Sequence, residues 1–379
     1  MTYTKLKEFS VVYTDRSLNH MSDEFIDVMK DIDQILKRVY NADATAIIPG
    51  SGTFGMEAVV RQFAHTSIKE QFEKNKWGKV LIIRNGWFSY RWSEIFDMAG
   101  IEDGVNVITG QPLADGYQAQ YQPPAIKDIV KFINEEKPDL VFAPHVETSC
   151  GMILPDEYLT QIGTACRDIG ALFVLDCIAS GAAWVDMKAT NVDILISAPQ
   201  KGWSSTPCCA LISMSERARL ALDETRSNSY SMDILKWTQV MEKYVLSNSW
   251  IYHTTLPTDA LKALRDTMLE TQAVGFDFLK NKQFELGNKA RELLVSRGFP
   301  SVAAKGFYAP GVVVCYTTDS DIQTTLKFRK IGYQTAAGVP LQIGERKDFQ
   351  TFRIGLFGLD KLTNVDKTIE SLTQALDHI

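Results

Sequence analysis

A chain of 379 residues, 45% hydrophobic and 23% charged, has the composition of an ordinary globular protein, long enough for a large core with a second, smaller unit beside it. A formal net charge of -6 and the lack of any basic block exclude a nucleic-acid partner, and the longest apolar runs fall far short of a membrane span. The opening MTYTKLKEF has no apolar core behind its charges, so the sequence predicts no signal peptide and a cytoplasmic location.

The first clear element is the apolar run Ala46-Ile47-Ile48, which reads as a strand and leads into the segment 49–58, PGSGTFGMEA. Behind it Met56, Val59, Val60 and Phe63 recur at helical spacing and predict a helix over 56–73. Gly50, Gly52 and Gly55 therefore sit between a strand and a helix on the spacing G-x-G-x-x-G. Helix N-termini expose unpaired N–H groups and a partial positive charge, and glycines let the backbone approach an anion. Ser51 and Thr53 add hydroxyl donors. Two readings stand at this point: a phosphate-binding loop, or a tight turn with Thr53 as a helix cap.

A dinucleotide would require an acid about 20 residues on, at the end of the next strand. That strand, 79–83, ends in Arg84-Asn85-Gly86 without an acid. Glu70 and Glu73 belong to the charged stretch SIKEQFEKNKW, which reads as a solvated helix face. An NADP variant using Arg84 on the extra phosphate keeps the dinucleotide reading open.

Further strands are predicted at 105–108, 139–143, 171–175, 193–197 and 209–213, and helices at 89–98, 125–136, 155–168 and 215–223. This alternation is the pattern of a mainly parallel sheet with helices on both faces. Past residue 225 the rhythm changes: a polar stretch, RSNSYSMD, precedes a long helical pattern at 259–295. Strands at 312–316 and 352–355 and helices at 320–331 and 363–377 complete a second, smaller domain.

In open parallel sheets ligands collect beyond the carboxyl ends of the strands. There the chain places PHVETSCG after 139–143, Asp176 after 171–175, and APQKG, with Lys201, after 193–197. A carboxylate and an amine on one rim, beside a phosphate loop, meet the three demands of pyridoxal phosphate: an amine for its aldehyde, a carboxylate for its ring nitrogen and a cup for its phosphate. Arg353, in TFRIG among apolar neighbours, suits a substrate carboxylate through two parallel hydrogen bonds. The six cysteines, at 150, 166, 177, 208, 209 and 315, lack metal-ligand spacing, and no metal is predicted. Most read as core residues, with thiol chemistry open only at Cys150 or Cys177.

The phosphate loop, HVETSCG, LFVLDCIAS, SAPQKGW, YHTTLP and FRIGLFG, in this order, resemble the class V aminotransferases of the alanine–glyoxylate and serine–glyoxylate type, over residues 19–379. The resemblance implies the pyridoxal phosphate fold type I: α/β, with a mainly parallel seven-stranded sheet, helices on both faces and a smaller C-terminal α+β domain. It implies an arm at 1–18, a large cofactor-binding domain at 19–255 and a small domain at 256–379. Lys201 would form the Schiff base and carry the proton, and Asp176 would hold the ring nitrogen. Ser51, Gly52, Thr53 and Gln200 would hold the phosphate, with Tyr252 and Thr255 reaching it from the neighbouring subunit of a homodimer. Phe88, or Trp87 if the register slips by one residue, would stack on the ring. Ser149 would bond the phenolic oxygen, Ile178 would pack on the other ring face, and Arg353 would bind the substrate.

The implied reaction moves an amino group from a small L-amino acid (alanine, serine or aspartate) to a small 2-oxo acid such as glyoxylate or pyruvate. The amino end departs from the family, whose members usually begin with a Pro-Gly-Pro segment; here VVYTDRSLNHMSDEF stands in its place, with Arg16 as a possible contact to a second acidic group. Alternatives on the same fold are 2-aminoethylphosphonate transamination, β-elimination and desulfuration. Cys315, in the apolar run VVVCY, is poorly placed for the last. An NADP-dependent oxidoreductase and a non-catalytic binding protein are the readings from other classes.

Overall fold

The computed structural model describes residues 3, 6–64, 78–101 and 103–379. Seven strands form one sheet: β1 (Ala44–Pro49), β2 (Val80–Arg84), β3 (Val105–Thr109), β4 (Leu140–Pro144), β5 (Leu172–Asp176), β6 (Ile194–Ser197) and β7 (Cys209–Met214). Their order is β1-β7-β6-β5-β4-β2-β3. The run from β6 to β3 is parallel, whereas β7 is antiparallel to both β6 and β1. β1, β2, β4, β5, β6 and β7 are buried along nearly their whole length, as expected of strands covered on both faces, so they read in sequence as unbroken apolar runs. Each lies within a residue or two of its predicted position.

The helices include α1 (Asp23–Tyr40), α2 (Gly52–Phe63), α3 (Trp87–Met98), α4 (Ile126–Glu136) and α5 (Asp156–Ile169). The sequence reading did not single out α1, although its signals are present. Ser22 caps it through Phe25 N–H, its first turn is acidic and its last basic, and Phe25, Val28, Met29, Ile32, Ile35 and Leu36 bury one face. α2 begins four residues earlier than predicted, at Gly52; the predicted stretch 65–73, with Glu70 and Glu73, lies outside the described residues.

The long pattern at 259–295 divides at Gly275, whose φ of 107° a side chain rarely adopts, into helices Thr258–Val274 and Phe276–Ser296. The first lies along α1 through Lys262–Glu24 and Arg265–Asp31 pairs. The second packs against a smaller sheet of β8 (Val312–Tyr316), β9 (Ala336–Ala337) and β10 (Thr351–Gly355), all antiparallel, in the order β8-β10-β9. The predicted helix 320–331 is interrupted at Thr324–Thr325, where Thr325 takes φ 70°.

One face of the small sheet, with Val313, Cys315, Phe352 and Ile354, joins the main core. The other, with Val312, Val314 and Tyr316, packs on Val146, Cys150 and Met152 from the large sheet's rim. Arg353 pairs with Val314 and so lies on that second face, turned toward the rim. Among the described residues no helix is long and apolar enough to cross a membrane.

Candidate active site

The site is assembled from the turns that follow β1, β2, β4, β5 and β6. Ser51 stands in extended conformation at the N-cap of α2, yet its hydroxyl makes no cap bond. Thr53 does not cap either: its Oγ1 accepts a hydrogen bond from Arg91 Nη1 at 3.0 Å. The Phe54 N–H is taken by the Ser51 carbonyl at 3.0 Å, so the first turn of α2 keeps the N–H groups of Gly52 and Thr53 and the Ser51 hydroxyl available to an anion. Gly52 is fixed by packing, since a Cβ there would come within 2.6 Å of Ile178 Cδ1. The loop after β1 therefore rests on the residue two beyond Asp176.

Asp176 closes β5 and is buried; its Oδ1 accepts the Ile178 N–H at 2.9 Å. Burial pushes its carboxyl from 3.8 up to about 7, against the pull of that hydrogen bond and of the Arg91 and Lys201 charges. Lys201 lies in the loop by which β6 turns back into β7, with Nζ 5.0 Å from the centre of the Phe357 ring. Burial lowers its pKa and the charge of Arg353 lowers it further, while Asp176 opposes the shift. The neutral amine, the form that can take up a proton, is thereby made more accessible.

A second buried carboxylate, Glu147, organises the turn after β4. It accepts from the N–H of Phe88 (3.3 Å), the N–H and hydroxyl of Ser89 (2.9 and 2.7 Å) and the N–H and hydroxyl of Ser149 (3.1 and 2.7 Å). An anion at the first turn of α3 is placed where the helix dipole favours it. Gly86 allows the approach, because a Cβ there would collide with Ser149 Oγ and the Glu147 side chain. Ser149 Oγ also accepts the Trp87 N–H at 3.1 Å, so its single proton is committed to Glu147. Phe88, beside this network, has the guanidinium of Arg91 5.4 Å and that of Arg353 5.5 Å from its ring centre.

Arg353 is held by a 2.8 Å bond from Nε to the carbonyl of Ala337, which leaves its outer nitrogens for a ligand. Burial lowers its pKa, and the charge of Glu147 counters this. Thus Ser51, Gly52, Thr53, Phe88, Ser149, Asp176, Ile178, Lys201 and Arg353 are linked by packing, charge or shared partners. Gln200 precedes Lys201 and is exposed. Tyr252 and Thr255 bond to each other at 3.0 Å on an exposed segment, and the Tyr252 ring stands 5.7 Å from that of His20. Arg16 is exposed in the arm. Arg84 is turned into α3, bonded to Ser93 at 2.6 Å and set over the Tyr90 ring at 4.6 Å.

The six cysteines are buried and unbridged. Burial pushes the thiols of Cys150 and Cys177 well up and that of Cys315 to about 12. Sequence reasoning missed Glu147 and Arg91. The only signal for Glu147 was a carboxylate in HVETSCG just beyond a strand tip, and Arg91 had none beyond its position three residues after Phe88.

The donor set fits a phosphorylated aldehyde cofactor: an amine of lowered basicity, a buried carboxylate with one oxygen unbonded, and a helix N-terminus with uncommitted hydrogen-bond donors. The family profile described as Aminotransferase class-V matches residues 4–328. Alanine–glyoxylate aminotransferase of Callithrix jacchus is 26% identical over 378 residues, covering 95% of this chain and 82% of its own length. The 2-aminoethylphosphonate–pyruvate transaminase 1 of Burkholderia lata is 26% identical over 349 residues, covering 90% and 85%. Among solved structures, alanine–glyoxylate aminotransferase from Nostoc sp. matches with a TM-score of 0.74 at 22% identity, covering 95% of this chain and 89% of its own. Ureidoglycine–glyoxylate aminotransferase from Bacillus subtilis matches with 0.74 at 22%, covering 94% and 86%.

Proposed function

The chain belongs to the class V aminotransferases, which are pyridoxal-phosphate-dependent transaminases, and from that premise we propose that it moves the amino group of a small L-amino acid, such as alanine, serine or aspartate, to a small 2-oxo acid such as glyoxylate or pyruvate. The observation that carries the reading is that Lys201, with Nζ 5.0 Å from the Phe357 ring centre, and Arg353, with its guanidinium 5.5 Å from the Phe88 ring centre, are near enough for the Arg353 charge to lower the amine's pKa. When bound, the cofactor supplies an aldehyde carbon for the amino group and a ring that draws electrons from Cα. Lys201 Nζ is the group that carries the proton to and from Cα, and Arg353 holds the substrate carboxylate by paired hydrogen bonds.

In this assignment Asp176 keeps the ring nitrogen protonated. Ser51, Gly52 and Thr53, with Gln200, hold the phosphate, and Ile178 and Phe88 enclose the ring. Ser149 bonds the phenolic oxygen once its proton turns away from Glu147. Tyr252 and Thr255 serve the site of a second copy in a homodimer. In support, they lie beside exposed Trp250 and Ile251, on a segment gripped by the arm through Tyr13 Oη to the Leu256 carbonyl (3.1 Å) and Leu18 N–H to Asp259 (3.0 Å). The exposed Phe9 and Val11 of the same arm add apolar surface suited to an interface.

The commitment of Arg84 to Ser93 and Tyr90 removes the residue on which an NADP reading rested. The phosphonate transaminase relatives give one further donor, 2-aminoethylphosphonate, a place on the test panel. The purified protein is expected to show a visible cofactor band that Lys201→Ala abolishes. Bleaching of that band across a panel of amino donors, and its return with glyoxylate or pyruvate, identifies the pair. A band bleached only by 2-aminoethylphosphonate would overturn the amino-acid assignment.

A further inference from the structure

We propose that Arg91 is a member of the phosphate cup, acting as a positioning residue that aims the Thr53 hydroxyl at the phosphate; this rests on the reading of residues 51–53 as the phosphate site. Arg91 lies on α3, one turn from Phe88, and reaches across to the first turn of α2, where Nη1 donates to Thr53 Oγ1 at 3.0 Å. A hydroxyl has one proton and two lone pairs, and a guanidinium only donates. By accepting from Arg91, Thr53 keeps its own proton free and directed away from the arginine.

The electrostatics point the same way. The start of α2 carries the positive end of the helix dipole and has no acidic residue in its first turn. A guanidinium placed there adds like charge to like, and among the described residues Arg91 makes no ion pair. Only a neutral hydroxyl separates the two, and Ser51 leaves its own hydroxyl uncommitted beside them. A doubly charged anion in that place accepts from the Gly52 and Thr53 N–H groups and both hydroxyls, and its charge balances that of the guanidinium behind Thr53. The charge of Arg91 also favours the ionised form of Asp176, so one side chain serves both ends of the cofactor.

The test compares pyridoxal phosphate with pyridoxal, which lacks the phosphate, by equilibrium titration of the cofactor-free protein. Arg91→Met should weaken pyridoxal phosphate by about 10- to 100-fold while changing pyridoxal by less than about threefold. Thr53→Val should give the same phosphate-dependent loss, and the double variant should lose little beyond either single one, because the two act as a unit. Arg91→Lys, which keeps charge but not the planar fork, should recover part of the affinity. Equal losses for both ligands, additive losses in the double variant, or an unchanged affinity in Arg91→Met would overturn the proposal. Should Arg91→Met fail to fold, Thr53→Val and Arg91→Lys decide it by the same ratio. A wild-type protein that binds the two ligands equally would overturn the phosphate-site reading itself.

Discussion

Two buried carboxylates stand on one rim, and they are built in opposite ways. Glu147, in the turn after β4, accepts five hydrogen bonds from Phe88, Ser89 and Ser149. Asp176, at the tip of β5, accepts one, from Ile178, and burial holds its carboxyl near 7. A buried charge whose partners all come from the chain is scaffold, fixing what its donors belong to. One whose partners are missing raises the energy of the free protein until a ligand supplies them. The turn at Glu147 therefore reads as a frame for Phe88 and the start of α3, and the tip at Asp176 as a place reserved for a positive group.

The contrast can be broken by exchanging what each carboxylate provides. Asp176→Asn is expected to have the largest effect, lowering kcat by about 10²–10³-fold through loss of a charge that acts in the transition state, measured under saturating cofactor. Glu147→Ala should instead act on the fold, destabilising the cofactor-free protein by about 3 kcal/mol in denaturant unfolding, because its donors are left unpaired.

A pH series sharpens the difference further. The folded state holds the Asp176 proton up to about 7, whereas the unfolded chain releases it near 3.8, so the native state binds more protons across that window. Stability contributed by the neutral carboxyl is full below 3.8 and falls as pH rises toward 7. Cofactor-free Asp176→Asn, which carries no charge to bury, should thus melt above wild type at pH 8 and close to it at pH 4, read by calorimetry. A constant gap across that range would contradict the assignment. The smallest effect is expected of Gly55→Ala. Its new Cβ would lie 2.5 Å from Ala210 Cβ, where α2 sits on β7, and overpacking there should cost about 1–3 kcal/mol in thermal unfolding with the cofactor contacts intact.

Much of the site was legible because the sheet is parallel and buried. Runs such as ALFVL and ILI are continuous in apolar residues, so the polar residues beyond each mark a strand tip; Asp176 follows the first directly, and Lys201 lies in the loop behind the second. Six of the seven strands were legible for the same reason, and β3, half-exposed at the sheet edge, was legible by its alternating VNVIT pattern. Breaks inside helical patterns were harder: Gly275 and Thr325 interrupt periodicity by backbone conformation, which leaves the spacing of apolar residues nearly unchanged.

What the sequence by itself determined is the position of each strand along the chain and the identity of the residues at the strand tips, since burial on both faces writes itself into composition residue by residue. Only the tertiary structure decided which of those charges are spent and which are free. Glu147 is satisfied by donors from residues 88, 89 and 149, and Thr53 is met by Arg91 from another helix. A hydrogen bond between remote segments depends on position in space and leaves no period in the chain, so the frame of the site stayed hidden where its chemistry did not.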